Sequence, residues 1–208
     1  MTQSADLTRL INNARLHAPG ATDAAIKYEL FQVLNEFFQD SDVWREDVTF
    51  GVTPAASNPP TTEQLTYELI TDELAAIDKL LWVQTSDKMD VKATMQTPGE
   101  VVLLASPSKA DTYTATVSLT VTDPTDSNDM PVFPAWILNK YGSGLFEGVV
   151  GRLMSQPAKP YTSERLAIYH LRRFQGTKSR AKVDAQHKNL YDGQTWRFPQ
   201  GFATRSQR

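Results

Sequence analysis

TYTATVSLTVT, residues 112–122, alternates without a break. Tyr113, Ala115, Val117, Leu119 and Val121 share one side, and Thr112, Thr114, Thr116, Ser118, Thr120 and Thr122 share the other. Successive side chains of a strand point to opposite faces, so this period predicts a β-strand with an apolar and a polar face. Shorter runs upstream carry similar signals: Val48, Phe50 and Val52, then LTYELI (65–70), AIDKLLWVQ (76–84), MDVKATMQ (89–96) and EVVLLA (100–105). The polar, Pro-rich 53–63 (TPAASNPPTTE) reads as a loop. Several short strands with turn signals between them predict an antiparallel sheet or small sandwich over 44–122.

Helical periods flank this β-rich middle. Ile26, Leu30, Val33, Leu34, Phe37 and Phe38 recur at helical spacing, with Thr22 as N-cap and Asp23 in the first turn, predicting a helix over 22–39. Before it, Leu7, Leu10, Ile11 and Ala14 give 1–18 a weak stripe, broken at Pro19-Gly20. Downstream, Pro134 opens a helix over 134–155 carrying Ile137, Tyr141, Leu145, Val149 and Leu153 on one face. Glycines interrupt it at 142, 144, 148 and 151, each costing ~1 kcal/mol against Ala. Close packing of another helix on Gly144, Gly148 and Gly151 accounts for them. A further helix is expected over 162–191, with Ala167, Leu171, Phe174 and Ala181 on one face and a wobble at Gly176. The fold class is therefore α+β. An N-terminal helix, a central antiparallel β domain and two C-terminal helices form one domain over 1–191, and an extended tail follows over 192–208.

Charge is split unevenly along the 208 residues. Residues 1–151 hold 9 Lys+Arg against 21 Asp+Glu, a balance of −12; residues 152–208 hold 12 against 3, a balance of +9. Such a split predicts a partner for the basic end: nucleic acid, an acidic protein surface or the acidic half of a neighbouring copy. The basic side chains concentrate in the last helix as Arg165, Arg172, Arg173, Lys178, Arg180, Lys182 and Lys188. Arg165 and Arg172 are seven residues apart and share a face, as do Arg173 and Arg180. In the tail, Trp196, Phe198 and Phe202 lie among Arg197, Arg205 and Arg208, in a segment too irregular for its own core. Large aromatics there predict burial against another surface.

Motifs for chemistry are weak. Glu147 takes the third glycine position of G-x-G-x-x-G, and no Walker-type lysine follows. Asp123, Asp126, Asn128 and Asp129 lack EF-hand spacing and read as turn residues. His17, His170 and His187 have no metal-ligand spacing, and cysteine is absent. Ser143 is not in a nucleophile elbow, and Glu46-Asp47 and Asp72-Glu73 are sequence neighbours rather than converging pairs. The expectation is a non-enzyme without cofactor or metal. With neither a signal-peptide pattern at Met1 to Leu10 nor an apolar run of membrane-spanning length, it is expected to be soluble, with no membrane partner.

The order of an acidic first helix (AIKYELFQVLNEFFQDSDVWRED), a β-rich middle, PVFPAWILNKYGSGLFEGVVGRLMSQPAKPYTSERLAIYHLRRF and NLYDGQTWRFPQGF resembles the head-to-tail adaptor (connector) proteins of tailed bacteriophages, especially short-tailed ones. The resemblance runs from about Ala21 to Phe202. It is sharpest at Trp44-Arg45, Gly148 to Gly151, Lys159-Pro160-Tyr161 and Trp196-Arg197-Phe198-Pro199. It implies a virion structural protein in the neck between capsid and tail, assembled in the host cytoplasm. The family forms a homo-oligomeric ring, commonly twelve-fold, beneath the portal protein. The ring extends the DNA channel towards a tail or nozzle protein, and genomic DNA passes without sequence recognition. Family channels tend to be acidic, which raises Glu29, Glu36 and Asp40 as channel-lining candidates. The alternative from the residues is a sequence-independent nucleic-acid-binding module using the basic helix 162–191.

Overall fold

The computed structural model describes residues 6–56, 60–62, 65–69, 75–122 and 130–188. The chain is α+β: the described residues form four helices, the last two long and C-terminal to the rest, with antiparallel sheets between the second and third. The helices are α1 (Thr8–His17), α2 (Asp23–Ser41), α3 (Ala135–Ser155) and α4 (Glu164–Lys188). The strands are β1 (Arg45–Val52), β2 (Thr66–Glu68), β3 (Ala75–Gln84), β4 (Asp90–Val91), β5 (Ala93–Thr97), β6 (Glu100–Leu103) and β7 (Asp111–Val121). The strand expected over 89–96 is thus two, and the one expected over 65–70 narrows to three residues. The tail over 192–208, with Trp196, Arg197, Phe198, Phe202 and Arg205, lies outside the described residues. So do Asp123, Asp126, Asn128, Asp129, Asp72 and Glu73.

Local chemistry sets the helix ends. The Thr22 hydroxyl accepts the Ala25 amide at 3.3 Å, a side-chain N-cap. Asp42 ends α2 in the left-handed region (φ 48°), its amide donating to the Phe38 carbonyl. Arg45 then donates through Nε to the Asp42 carbonyl at 2.7 Å, and Lys79 donates to the Gln39 carbonyl at 2.5 Å. Two cations from the sheet thereby satisfy carbonyls at the negative end of the helix.

β7 is the centre of the larger sheet, whose order is β1-β7-β3-β4; β2-β6-β5 form the smaller one. Tyr113, Ala115, Val117 and Leu119 enter a core with Phe50, Val52, Ile77, Val83, Val101 and Leu103. The polar face of the strand is covered as well over much of its length. Thr116, Ser118 and Thr120 on the opposite face are buried too. α2 packs on this strand, and the Thr120 hydroxyl donates to Asn35 Oδ1 at 2.8 Å. A threonine face reads as solvated by composition, yet a hydroxyl tolerates burial once it has a partner, as Thr120 has in Asn35 and Thr116 in Asp47; Ser118 Oγ is buried without one among the described residues. A second core joins the four helices, with Ile26, Leu30, Phe37, Phe38, Ile137, Leu145 and Phe174 among its members. Trp44 packs against both cores and stands 5.3 Å, ring to ring, from Phe38.

Three of the glycines of α3, Gly144, Gly148 and Gly151, face α4, whereas Gly142 meets only Leu138 of its own helix. A Cβ on Gly144 would overlap the Thr177 side chain. One on Gly148 would lie 2.9 Å from Val33 and 3.0 Å from Phe174, and one on Gly151 would lie 2.9 Å from Leu171. Gly176 differs: α4 passes through it without interruption, so the expected wobble is absent, and nothing stands within 4 Å of a Cβ there. Two opposite effects follow. Gly144→Ala is expected to lower stability by about 1–3 kcal/mol through overpacking, and Gly176→Ala to raise it by about 0.5–1 kcal/mol through helix propensity. Urea unfolding followed by circular dichroism measures both; equal effects of one sign would refute the packing account.

Candidate interface on the C-terminal helix

One stripe of α4 faces the rest of the molecule, Ala167, Leu171, Phe174, Lys178, Ala181 and Ala185 at alternating spacings of four and three, with Thr177, His170 and Asp184 beside it also in contact with α3. Lys178 is the exception in chemistry, with its side chain only 6 % exposed. Its ammonium donates to Glu36 at 2.5 Å and to Asp40 at 2.6 Å. Glu36 also accepts from Arg152 Nη2 at 2.6 Å, and Arg152 Nη1 lies 3.8 Å from Glu29. Glu29 accepts from Gln156 Nε2 at 2.8 Å, and the Tyr161 hydroxyl donates to Gln156 Oε1 at 3.0 Å. Glu29, Glu36 and Asp40 lie seven and four residues apart, so one side of α2 carries the whole ladder. All three carboxylates, raised above as channel-lining candidates, meet side chains of α3 and α4, and Asp40 keeps more than half of its side chain exposed.

A second group lies between α3 and α4. Glu147 is buried, with Oε2 2.5 Å from His170 Nδ1 and Oε1 3.1 Å from Arg173 Nη1. Arg173 also donates to the Tyr169 hydroxyl at 3.0 Å and stands over its ring. Further along, Asp184 takes Lys140 at 2.5 Å and the Tyr141 hydroxyl at 2.8 Å. The basic end of the chain is therefore matched in part by acids of its own front half. A partner within the same chain was not among those expected from the charge split. The signal for Lys178 was present: it stands four residues after Phe174 and three before Ala181, on the apolar stripe.

The far side of α4 is uncovered. Arg165, Arg172, Arg180 and Lys182 are exposed, and Arg165, Arg172 and Lys182 make no ion pair among the described residues. Between and beside them stand Leu166, Ile168, Tyr169 and Val183, from 46 % to 53 % exposed. Arg165, Ile168, Tyr169 and Arg172 line, with Glu164 and Arg173, an open depression of about 630 Å³. All six come from one helix, so this is a flank and not an enclosed cavity. Its mixture of arginine, tyrosine and aliphatic side chains suits protein contact.

Among the described residues, no three His, Asp or Glu side chains gather where they could hold a metal ion, and no helix is long and apolar enough to cross a membrane. No protein-family model matches the chain, and no curated protein matches it significantly.

Protonation reports on the ladder. Burial acts to raise the Glu36 pKa, but hydrogen bonds from Lys178 and Arg152 outweigh it and hold the carboxyl below its ordinary range. Burial acts to lower the Lys178 pKa, but Asp40 and Glu36 outweigh it and raise it. A depressed folded carboxylate pKa stabilises the fold above the unfolded value, about 4.3 for Glu. That contribution is lost as pH falls through the lower, folded value. The raised lysine contributes below about pH 10.4 and loses its contribution as pH rises through its folded value. The urea midpoint of the wild type is expected to fall with acid more steeply than that of Glu36→Gln; parallel curves would contradict the ladder. Lys178→Ala is expected to cost about 1–3 kcal/mol near neutral pH, since it removes the ion-pair partner of Asp40 and one of the two cations on Glu36.

Proposed function

We propose that the chain is a non-catalytic virion structural protein, a head-to-tail adaptor held in a ring between a portal and a tail protein. The observation that supports this best is the uncovered flank of α4, where Ile168 and Tyr169 stand exposed between Arg165 and Arg172. A helix tied to its own domain by a buried lysine on one side and left apolar and basic on the other is suited to being covered by a neighbour. The phage assignment itself comes from the order of elements and the motifs at Trp44-Arg45, Gly148 to Gly151 and Lys159-Pro160-Tyr161. In this reading the role is mechanical: the ring joins portal to tail, retains the packaged genome and passes DNA at ejection. The tail over 192–208, with Trp196, Phe198 and Phe202, supplies the docking segment for the portal.

The nucleic-acid reading draws on the same arginines. Ile168, Tyr169 and Glu164 among them suit a phosphate backbone poorly, so protein contact is the better fit.

Full-length protein is expected to co-sediment with portal rings. Protein ending at residue 191 is expected to keep its circular dichroism and melting temperature and lose that docking. A full-length protein that never sediments with portal rings sinks the assignment; undiminished docking by the shortened protein removes the tail from the interface. A steep, salt-sensitive shift of duplex DNA without portal binding would favour the nucleic-acid module instead.

A further inference from the structure

The uncovered flank of α4 has a counterpart at the opposite lobe of the same chain. In the small sheet Glu68 lies directly opposite Glu100 in the antiparallel register of β2 and β6. Directly opposed residues hold their Cβ atoms about 5 Å apart, so two like charges there repel. Both side chains are exposed, and neither has an ion-pair partner among the described residues. The neighbouring register positions, Thr66 opposite Val102 and Thr97 opposite Glu100, bring no cation. Such a pair gains from an outside cation what the fold does not supply.

Arg165 and Arg172 present the complementary problem. They sit two helical turns apart on one face, about 10.5 Å along the axis at 1.5 Å per residue. Arginine forks match carboxylates in geometry as well as in charge. The two patches belong to different lobes. α4 packs on α2 and α3, whereas the small sheet packs through β2 on β1 and through β5 on β3.

We propose that the Arg165/Arg172 flank of α4 in one copy docks on the Glu68/Glu100 end of the small sheet in the next copy, as a head-to-tail contact between identical chains. Different surfaces of the same chain meeting in this way form a heterologous interface, which propagates and closes into a ring when the rotation permits. Ile168 and Tyr169 supply the apolar centre, and the carboxylates and guanidiniums set register and choice of partner. The inference rests on the ring reading for its closure, but the contact itself is tested without a portal.

The chain has no cysteine, so single reporter thiols can be placed cleanly. Thr97→Cys stands beside Glu100 on the exposed sheet surface, and Ile168→Cys stands between the two arginines. Separately purified full-length variants, one carrying a size tag, are mixed at low ionic strength and treated with a short bis-maleimide. The expected product is a heterodimer several-fold more abundant than either homodimer. It should decline as salt shortens the screening length from about 10 Å at 0.1 M to about 3 Å at 1 M. Adding Arg165→Glu and Arg172→Glu to the Ile168→Cys chain should abolish the excess, and adding Glu68→Arg and Glu100→Arg to the Thr97→Cys chain should restore it. Circular dichroism of each variant checks the fold, and Arg165→Ala with Arg172→Ala gives a milder second pair that should also remove the excess. A heterodimer no more abundant than the homodimers, or one indifferent to charge reversal, overturns the contact. If Arg165→Glu and Arg172→Glu instead abolish portal co-sedimentation while the Thr97→Cys and Ile168→Cys pair with its native charges shows no excess, the flank belongs to the portal. The adaptor reading would then stand and this inference would not.

Discussion

The buried ammonium of Lys178 is the constraint around which the helices are arranged. Removing a lysine from water costs several kcal/mol unless charge and hydrogen bonds are returned to it. Here Glu36 and Asp40 return both, at 2.5 and 2.6 Å. Both carboxylates stand on α2, which also covers the back of β7. One contact thus helps fix where α4 lies on α2 and, through α2, how the helices sit on the sheet. The glycines make it reachable: α4 approaches α3 closely because Gly144, Gly148 and Gly151 leave room for Thr177, Phe174 and Leu171.

Much of this architecture is legible in the residues, because its elements are long and periodic. α2 follows from Ile26, Leu30, Val33, Phe37 and Phe38, and β7 from its unbroken alternation. The short strands are less legible. β4 has two residues and β2 three, too few for a period to assert itself over neighbouring loops. Burial of the threonine face of β7 is a tertiary fact: alternation reveals two faces, but not that α2 covers the second. Lys178 is a similar case. Its position on the apolar stripe of α4 was visible, while its charge pointed to solvent.

The charge split has two components. Arg152, His170 and Lys178 turn inwards to Glu29, Glu36, Asp40 and Glu147, and Arg173 reaches Glu147 from the exposed flank. They hold the domain together. Arg165, Arg172 and Lys182 turn outwards. Helical spacing separates Lys178 from Arg165 and Arg172: the lysine keeps the 4-3 rhythm of the stripe, and those two arginines fall on the other side of the helix. Composition merges the two groups, and the sequence motif that reads as a failed nucleotide fingerprint, with Glu147 in place of glycine, is part of the inward one.

The central place of β7 also bears on how the chain comes to fold. β7 supplies the middle of a sheet whose other strands are made long before it: Arg45 of β1 waits for Ser118, and Ala75 of β3 for Val121. Until β7 leaves the ribosome, β1 and β3 lack the strand that joins them, and α2 has no sheet beneath it. Loop closure on that scale places the chain among topologies of high contact order, which fold slowly and expose unpaired edges on the way. The same strand that locks the finished molecule therefore sets the moment at which it can begin to exist.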